Sequence, residues 1–75
     1  MDSYLLITCE KGKEADIFDE LQMMDEVVNA HIIFGEWDVM ALVKCENTEA
    51  LGTFILDKIR PLKGITLTST LIVAK

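Results

Sequence analysis

Few side chains in this 75-residue sequence can carry covalent or metal chemistry, for it holds one histidine and two cysteines. A lone His31 cannot supply both a base and the group that orients it. No Ser-His-Asp or Cys-His set is therefore readable, and one histidine with two distant cysteines makes a poor zinc site. Cys9 and Cys45 form no CxxC pair, and reduced thiols are the expectation. No catalytic residue, metal or cofactor is expected, and the chain reads as a non-enzyme. Basic side chains are scarce too: seven stand against thirteen acids, the net charge is −6, and acids are scattered among the lysines. Without a continuous basic stripe, direct contact with nucleic acid or an anionic membrane surface is disfavoured. No apolar run approaches the roughly 20 residues that span a bilayer. The N-terminus, Met1-Asp2-Ser3-Tyr4, has an acid where a signal peptide carries bases, so a cytoplasmic location is the expectation. Linkers, low-complexity segments and solenoid repeats are also lacking, so residues 1–75 read as one domain.

What the sequence does have is apolar surface. It is 51% hydrophobic with a mean hydropathy of +0.31. A chain this short buries only around 60% of its unfolded surface when alone, so this richness points to self-association. Residues 3–9 form a β-rich run that stops at the glycine and charges of 10–13. From Lys13 to about Met24, Ala15, Ile17, Phe18, Leu21 and Met24 recur at three- and four-residue steps, which predicts an amphipathic helix with Met23 and Met24 as packing. After Asp25-Glu26, residues 27–34 and 37–43 are two β-branched runs joined at Gly35-Glu36, an antiparallel hairpin. Thr48 reads as the N-cap of a second helix that runs to about Ile59, with Leu51, Phe54, Ile55 and Ile59 inward and Lys58 snorkelling at the edge. Pro61 stops it. Residues 65–74 close the chain as a threonine-rich strand.

The order βαββαβ predicts an α+β, ferredoxin-like fold: a four-stranded antiparallel sheet with both helices on one face. Strands one and three are expected side by side and parallel, which would bring Cys9 and Cys45 to the same end of the sheet. The helix-free face should be polar in a monomer. Instead the first three strands are apolar at both parities, with Tyr4 and Leu6 against Leu5 and Ile7, Val28, Ala30 and Ile32 against Val27 and Ile33, and Val39 and Ala41 against Met40 and Leu42. A second copy packed sheet to sheet, in the manner of a dimeric α+β barrel, is the expected cover.

Two enzymes or carriers of this topology are disfavoured by the loop after strand one. Acylphosphatases need an arginine there, and copper chaperones a pair of cysteines. The loop here reads Glu10-Lys11-Gly12-Lys13. The richest segment is Gly35-Glu36-Trp37-Asp38, where a flexed glycine turn can point N–H groups outward at an anion while a carboxylate meets an ammonium. That pairing suits a zwitterion such as a free amino acid. A plain hairpin with two solvated acids is the alternative.

The turn Gly35-Glu36-Trp37-Asp38, followed by Val39-Met40-Ala41-Leu42-Val43, resembles the glycine-x-aromatic-aspartate hairpin of the Lrp/AsnC effector domain, often called RAM. The closing strand Ile65 to Val73 and the turn Arg60-Pro61-Leu62-Lys63-Gly64 before it resemble that domain as well, so the likeness covers essentially the whole chain. The resemblance implies an amino-acid-sensing domain that dimerises through its sheet and assembles into an octamer or other ring of dimers, with ligand held between dimers. Full-length members carry an N-terminal helix-turn-helix, and this sequence starts directly at the sensor. It is similar to the stand-alone members, which are thought to bind effectors or join full-length Lrp/AsnC regulators without binding DNA. Carried over by position, Gly35, Glu36 and Trp37 would offer N–H groups to the ligand carboxylate and Asp38 would pair with its ammonium, while Thr68, Ser69 and Thr70 would add hydroxyl contacts. Trp37 equally suits an interface anchor, and the hydroxyls an ordinary strand. Two other readings stay open. One is an oligomerisation module with no small ligand, and the other a small dimeric α+β-barrel enzyme using His31 and Asn29.

Overall fold

Alternation and helical periodicity produce seven elements in the computed structural model, which describes all of residues 1–75. Strand β1 is Asp2–Cys9, helix α1 Glu14–Gln22, strand β2 Val27–Ile32, strand β3 Val39–Lys44 and helix α2 Thr48–Phe54. A π-helical turn, Ile55–Ile59, continues α2, and strand β4 is Ile65–Ile72. The sheet order is β2-β3-β1-β4 with every neighbouring pair antiparallel, the expected ferredoxin-like arrangement. No helix is long and apolar enough to cross a membrane.

The core forms where the sheet meets the helices. Leu5 and Ile7 of β1, Ala30 of β2, and Val39, Ala41 and Val43 of β3 are buried against Ile17 and Leu21 of α1, Leu51 and Phe54 of α2, and Ile59. Only 12 of 75 residues are buried, so a single chain keeps much of its apolar surface in water. Much of that surface is the helix-free face. The register sets Tyr4 against Leu42 and Leu71, and Leu6 against Met40, and facing residues of an antiparallel pair share a side. Leu67, Leu71 and Tyr4 are 59%, 54% and 39% exposed.

Several local readings change. Cys9 and Cys45 stand at opposite ends of the sheet, because β1 and β3 are antiparallel, with Ile7 facing Val39 and Asp2 facing Lys44. The physical reason is connectivity: the α1 crossover makes β1 and β2 run the same way, and the hairpin then reverses β3. Both thiols are free. Thiol titration of the unreduced, denatured protein should therefore count both cysteines, and a count of none would show a disulfide this fold does not allow.

The cap of α2 is Asn47 rather than Thr48. Its side-chain oxygen accepts from the Ala50 N–H at 2.8 Å, and Thr48 begins the helix. Asn47→Ala should cost about 1 kcal/mol, read as a lower urea midpoint with unchanged slope, whereas Thr48→Ala should cost less. Met23 is 84% exposed just past α1 and does not pack, whereas Met24 lies against the core. Lys58 extends to Glu26 and bonds both carboxylate oxygens, at 2.9 and 3.1 Å. That hydrogen bond holds the Glu26 carboxyl below its usual range. Its contribution to stability is therefore present near neutral pH and lost as the pH falls through the folded-state value. An irregularity between Val27 and Asn29 shifts the parity of β2, so His31, facing Met40, and Asn29, facing Leu42, lie on the helix-free side while Val27 faces Val43 on the helix side.

Candidate functional site

The connection from β2 to β3 is wider than the two-residue turn expected: residues 33–38 lie outside both strands. It closes through the Ile33 N–H, which donates to the Asp38 carbonyl at 2.9 Å. Gly35 sits at φ +136°, a conformation L side chains rarely adopt, which explains glycine at this point of the loop.

Asp38 fastens the loop to the end of β1. Its N–H donates to the Ile7 carbonyl at 2.9 Å, and its carboxylate Oδ2 accepts from the Cys9 N–H at 2.9 Å. The residue is half-buried, and its carboxylate has further lone pairs beyond the one this bond occupies. Burial, followed by the negative charge of Asp38, raises the neighbouring Cys9 thiol above its ordinary value, with Glu14 and Glu10 adding to the effect. The thiol is thus kept protonated, and the end of β1 carries a negative field that favours a cation.

The N–H groups of Gly35, Glu36 and Trp37 have no acceptor within the chain. Gly35 and Glu36 are exposed and Trp37 is half-buried, and the Phe34 N–H before them also lacks an acceptor, so one short loop carries four free backbone donors, an indole and the Asp38 carboxylate. Successive free N–H groups of this kind favour an anion. Beside them Phe34 is fully exposed. Sequence reasoning placed it at the end of a strand and missed it as a surface feature.

The hydroxyls of β4 divide between the two faces. Thr68 faces Ile7 and Thr70 faces Leu5 on the helix side, whereas Ser69 faces Leu6 on the helix-free side. Since Ile7 also receives the Asp38 N–H, Thr68 lies one strand across from Asp38 at the same end of β1. Thr70 is farther along, and Ser69 opens to the other surface. The expected cluster is thereby only partly brought together within one chain.

Three open hollows mark the surface, and none includes the residues 35–38. The largest, about 710 Å³, is a charged cleft between α1 and the Pro61–Lys63 turn, lined by Lys13, Asp16, Asp19 and Glu20 among others. A second, about 440 Å³, lies near Cys45 and Glu26. The third, about 330 Å³, runs along β4 and joins Arg60 to Thr66 and Thr68. Arg60, read from sequence only as part of the turn before β4, thus lines the same hollow as one of the expected hydroxyl residues. The pairing arises from the return of the chain after Pro61, which no local pattern announces.

Comparison with known proteins bears on the family and the fold. The regulator FL11 of Pyrococcus abyssi, a helix-turn-helix-type transcriptional regulator, is 31% identical over 75 residues, covering 100% of this chain and 49% of its own length. The chain thus spans about half of that relative. The crystal structure of FFRP-DM1 superposes with a TM-score of 0.91 at 33% identity, over 96% of each chain. A transcriptional regulator of Neisseria meningitidis solved as a complex with L-Met shares the fold, with a TM-score of 0.86 at 20% identity over 99% of this chain and 49% of its own. The model of the Lrp/AsnC ligand binding domain matches residues 3–75. The chain belongs to the Lrp/AsnC ligand-binding domain family.

Proposed function

We propose that residues 1–75 form a single amino-acid-sensing domain whose ligand binds at the Gly35–Asp38 loop and whose output is assembly. The observation that carries this reading is the loop itself: four free N–H groups stand beside a carboxylate held in place by the Cys9 N–H. The free donors suit an α-carboxylate, and the remaining lone pairs of Asp38, in a negative field, suit an α-ammonium. Thr68 is the best placed of the hydroxyls to contribute, with Ser69 and Thr70 more remote. The L-Met bound in the Neisseria complex supports an amino acid as the ligand class.

The loop forms no pocket in one chain, and Phe34 beside it is bare. A second subunit would enclose both. The apolar helix-free face supports a dimer packed sheet to sheet, and the loop at its margin supports further joining of dimers into an octamer or other ring. Mixed assembly with full-length Lrp/AsnC regulators would carry the signal to transcription in the cytoplasm, these residues touching no DNA themselves and catalysing nothing.

A thermal-shift screen of the twenty amino acids, followed by calorimetry on any that raise the midpoint, tests the reading. Binding in the micromolar to millimolar range is expected, and a ligand at about 100 times its Kd should add about 2.7 kcal/mol of stability. A flat screen with an intact assembly would instead favour an oligomerisation module without a small ligand.

A further inference from the structure

The hollow along β4 holds one charged side chain, and that side chain is unpaired. Arg60 is the only arginine of a chain with thirteen acids and seven bases. Its neighbour Lys58 is bonded to Glu26 in the chain's one ion pair, but no carboxylate, carbonyl or hydroxyl accepts from the Arg60 guanidinium. An arginine at a helix end ordinarily serves in a surface ion pair or caps the last carbonyls, and Arg60 does neither.

The guanidinium is carried on fixed backbone. The Arg60 N–H closes the π-helical turn by donating to the Ile55 carbonyl at 2.9 Å, and Pro61 locks the next residue. Gly64, at φ +92°, turns the chain back, and its carbonyl accepts from the Glu10 N–H at 2.7 Å, just past the end of β1. Arg60 is thereby returned to β4, where it lines about 330 Å³ together with Ile65, Thr66, Leu67 and Thr68. No acidic side chain lines this space. Residues of both parities line it, so it follows the edge of the strand rather than one face, and the inner edge belongs to β1.

The β4 backbone supplies a donor to the same edge. The Val73 N–H donates to the Asp2 carbonyl, and alternation of bonded and non-bonded pairs from there makes Thr68 and Ile7 a non-bonded pair. The Ile7 carbonyl accordingly turns the other way, to accept from Asp38. The Thr68 N–H therefore points away from β1, to the side that no other strand occupies. Beside it the register passes from Thr8–Leu67 to Cys9–Ile65, which leaves Thr66 as a bulge residue with no opposite number. Its hydroxyl is held 2.7 Å from that of Thr8. Bulges of this kind re-aim the chain next to binding sites.

We propose that the Arg60 hollow is a ligand site separate from the Gly35–Asp38 loop, and that it takes a small organic carboxylate with a short apolar body. The planar guanidinium fork meets two coplanar carboxylate oxygens, and its single positive charge matches a monoanion. The Thr68 N–H bonds one of those oxygens, and Ile65 and Leu67 cover the carbon chain. An α-ammonium gains nothing here, because no acid lines the space, whereas Asp38 stands at the loop to receive one.

Titration of the isotope-labelled full chain with isovalerate, followed by NMR, tests the site. Isoamylamine offers the same carbon skeleton without the carboxylate, and inorganic phosphate is a different oxyanion. Isovalerate should move the Thr68 N–H and Arg60 Nε–H resonances saturably, and the amine should move neither. Arg60→Gln should weaken isovalerate by about tenfold or more, the value of a hydrogen bond to a charged group, while the rest of the spectrum stays that of the folded protein. Arg60→Lys keeps the charge without the fork and should recover only part of the affinity. Resonances at Thr68 and Arg60 that stay still, or a response confined to residues 34–38, overturn the site. An equal response to phosphate or to the amine overturns its selectivity for a carboxylate, and undiminished binding by Arg60→Gln removes the guanidinium from it.

Discussion

Leu42→Asp is expected to abolish the proposed sheet-to-sheet dimer and leave a monomer at micromolar concentration. Leu42 is half-buried on the helix-free face, facing Tyr4 on one side and Asn29 on the other. Packing a second sheet over it would trap a carboxylate without a partner, and two-fold symmetry does this twice. Each buried ion costs several kcal/mol even after relaxation, so a total of about 4 kcal/mol or more corresponds to at least a thousandfold rise in Kd. Sedimentation equilibrium of the wild type and the variant reads the change directly. Thr53→Asp, on the exposed surface of α2, is the control and should leave the mass unchanged. A wild type that is already monomeric would end the face-to-face dimer, as would a variant of undiminished mass.

The second large effect concerns Asp38, where a structural duty and a proposed binding duty fall on one carboxylate. Asp38→Asn keeps an oxygen that can accept from the Cys9 N–H, so its folding stability should fall by under about 1 kcal/mol. It removes the charge proposed to meet the ammonium, and amino-acid affinity should drop by more than about tenfold, or 1.4 kcal/mol. Asp38→Ala removes both. Losing a hydrogen bond to a charged group costs about 1.5–3 kcal/mol, which for a domain of this size lowers Tm on the order of 10 °C. The contrast between the two variants separates the roles, since only the alanine variant should be thermally weak. Equal affinity in wild type and Asp38→Asn, measured by calorimetry, would remove the residue from the site.

The segment around Asp38 shows how far a sequence can be read. Glycine at 35 and the following aspartate marked the loop, because a positive φ and a turn-favouring side chain are local properties. The reading of a two-residue turn failed because strand ends depend on which ladder bonds form, and here Ile33 bonds Asp38 across a wider loop. The partner of the Asp38 carboxylate, the Cys9 N–H, lies 29 positions away in the chain. No periodicity within the loop could identify it. The two faces of β4 were also foreseeable only in part. Alternation requires Ser69 to oppose its threonine neighbours, but which face holds which residue follows from the register with β1.

The sequence by itself determined the element order, the two amphipathic helices and the excess of apolar strand positions, because each rests on spacing between near neighbours or on composition. Tertiary structure alone decided that β1 and β3 run antiparallel, that a shift near Val28 moves His31 to the open face, and that Arg60 and Thr68 line one hollow. Those outcomes depend on strand direction, bulges and chain return, which are settled by packing the whole sheet rather than by any local segment.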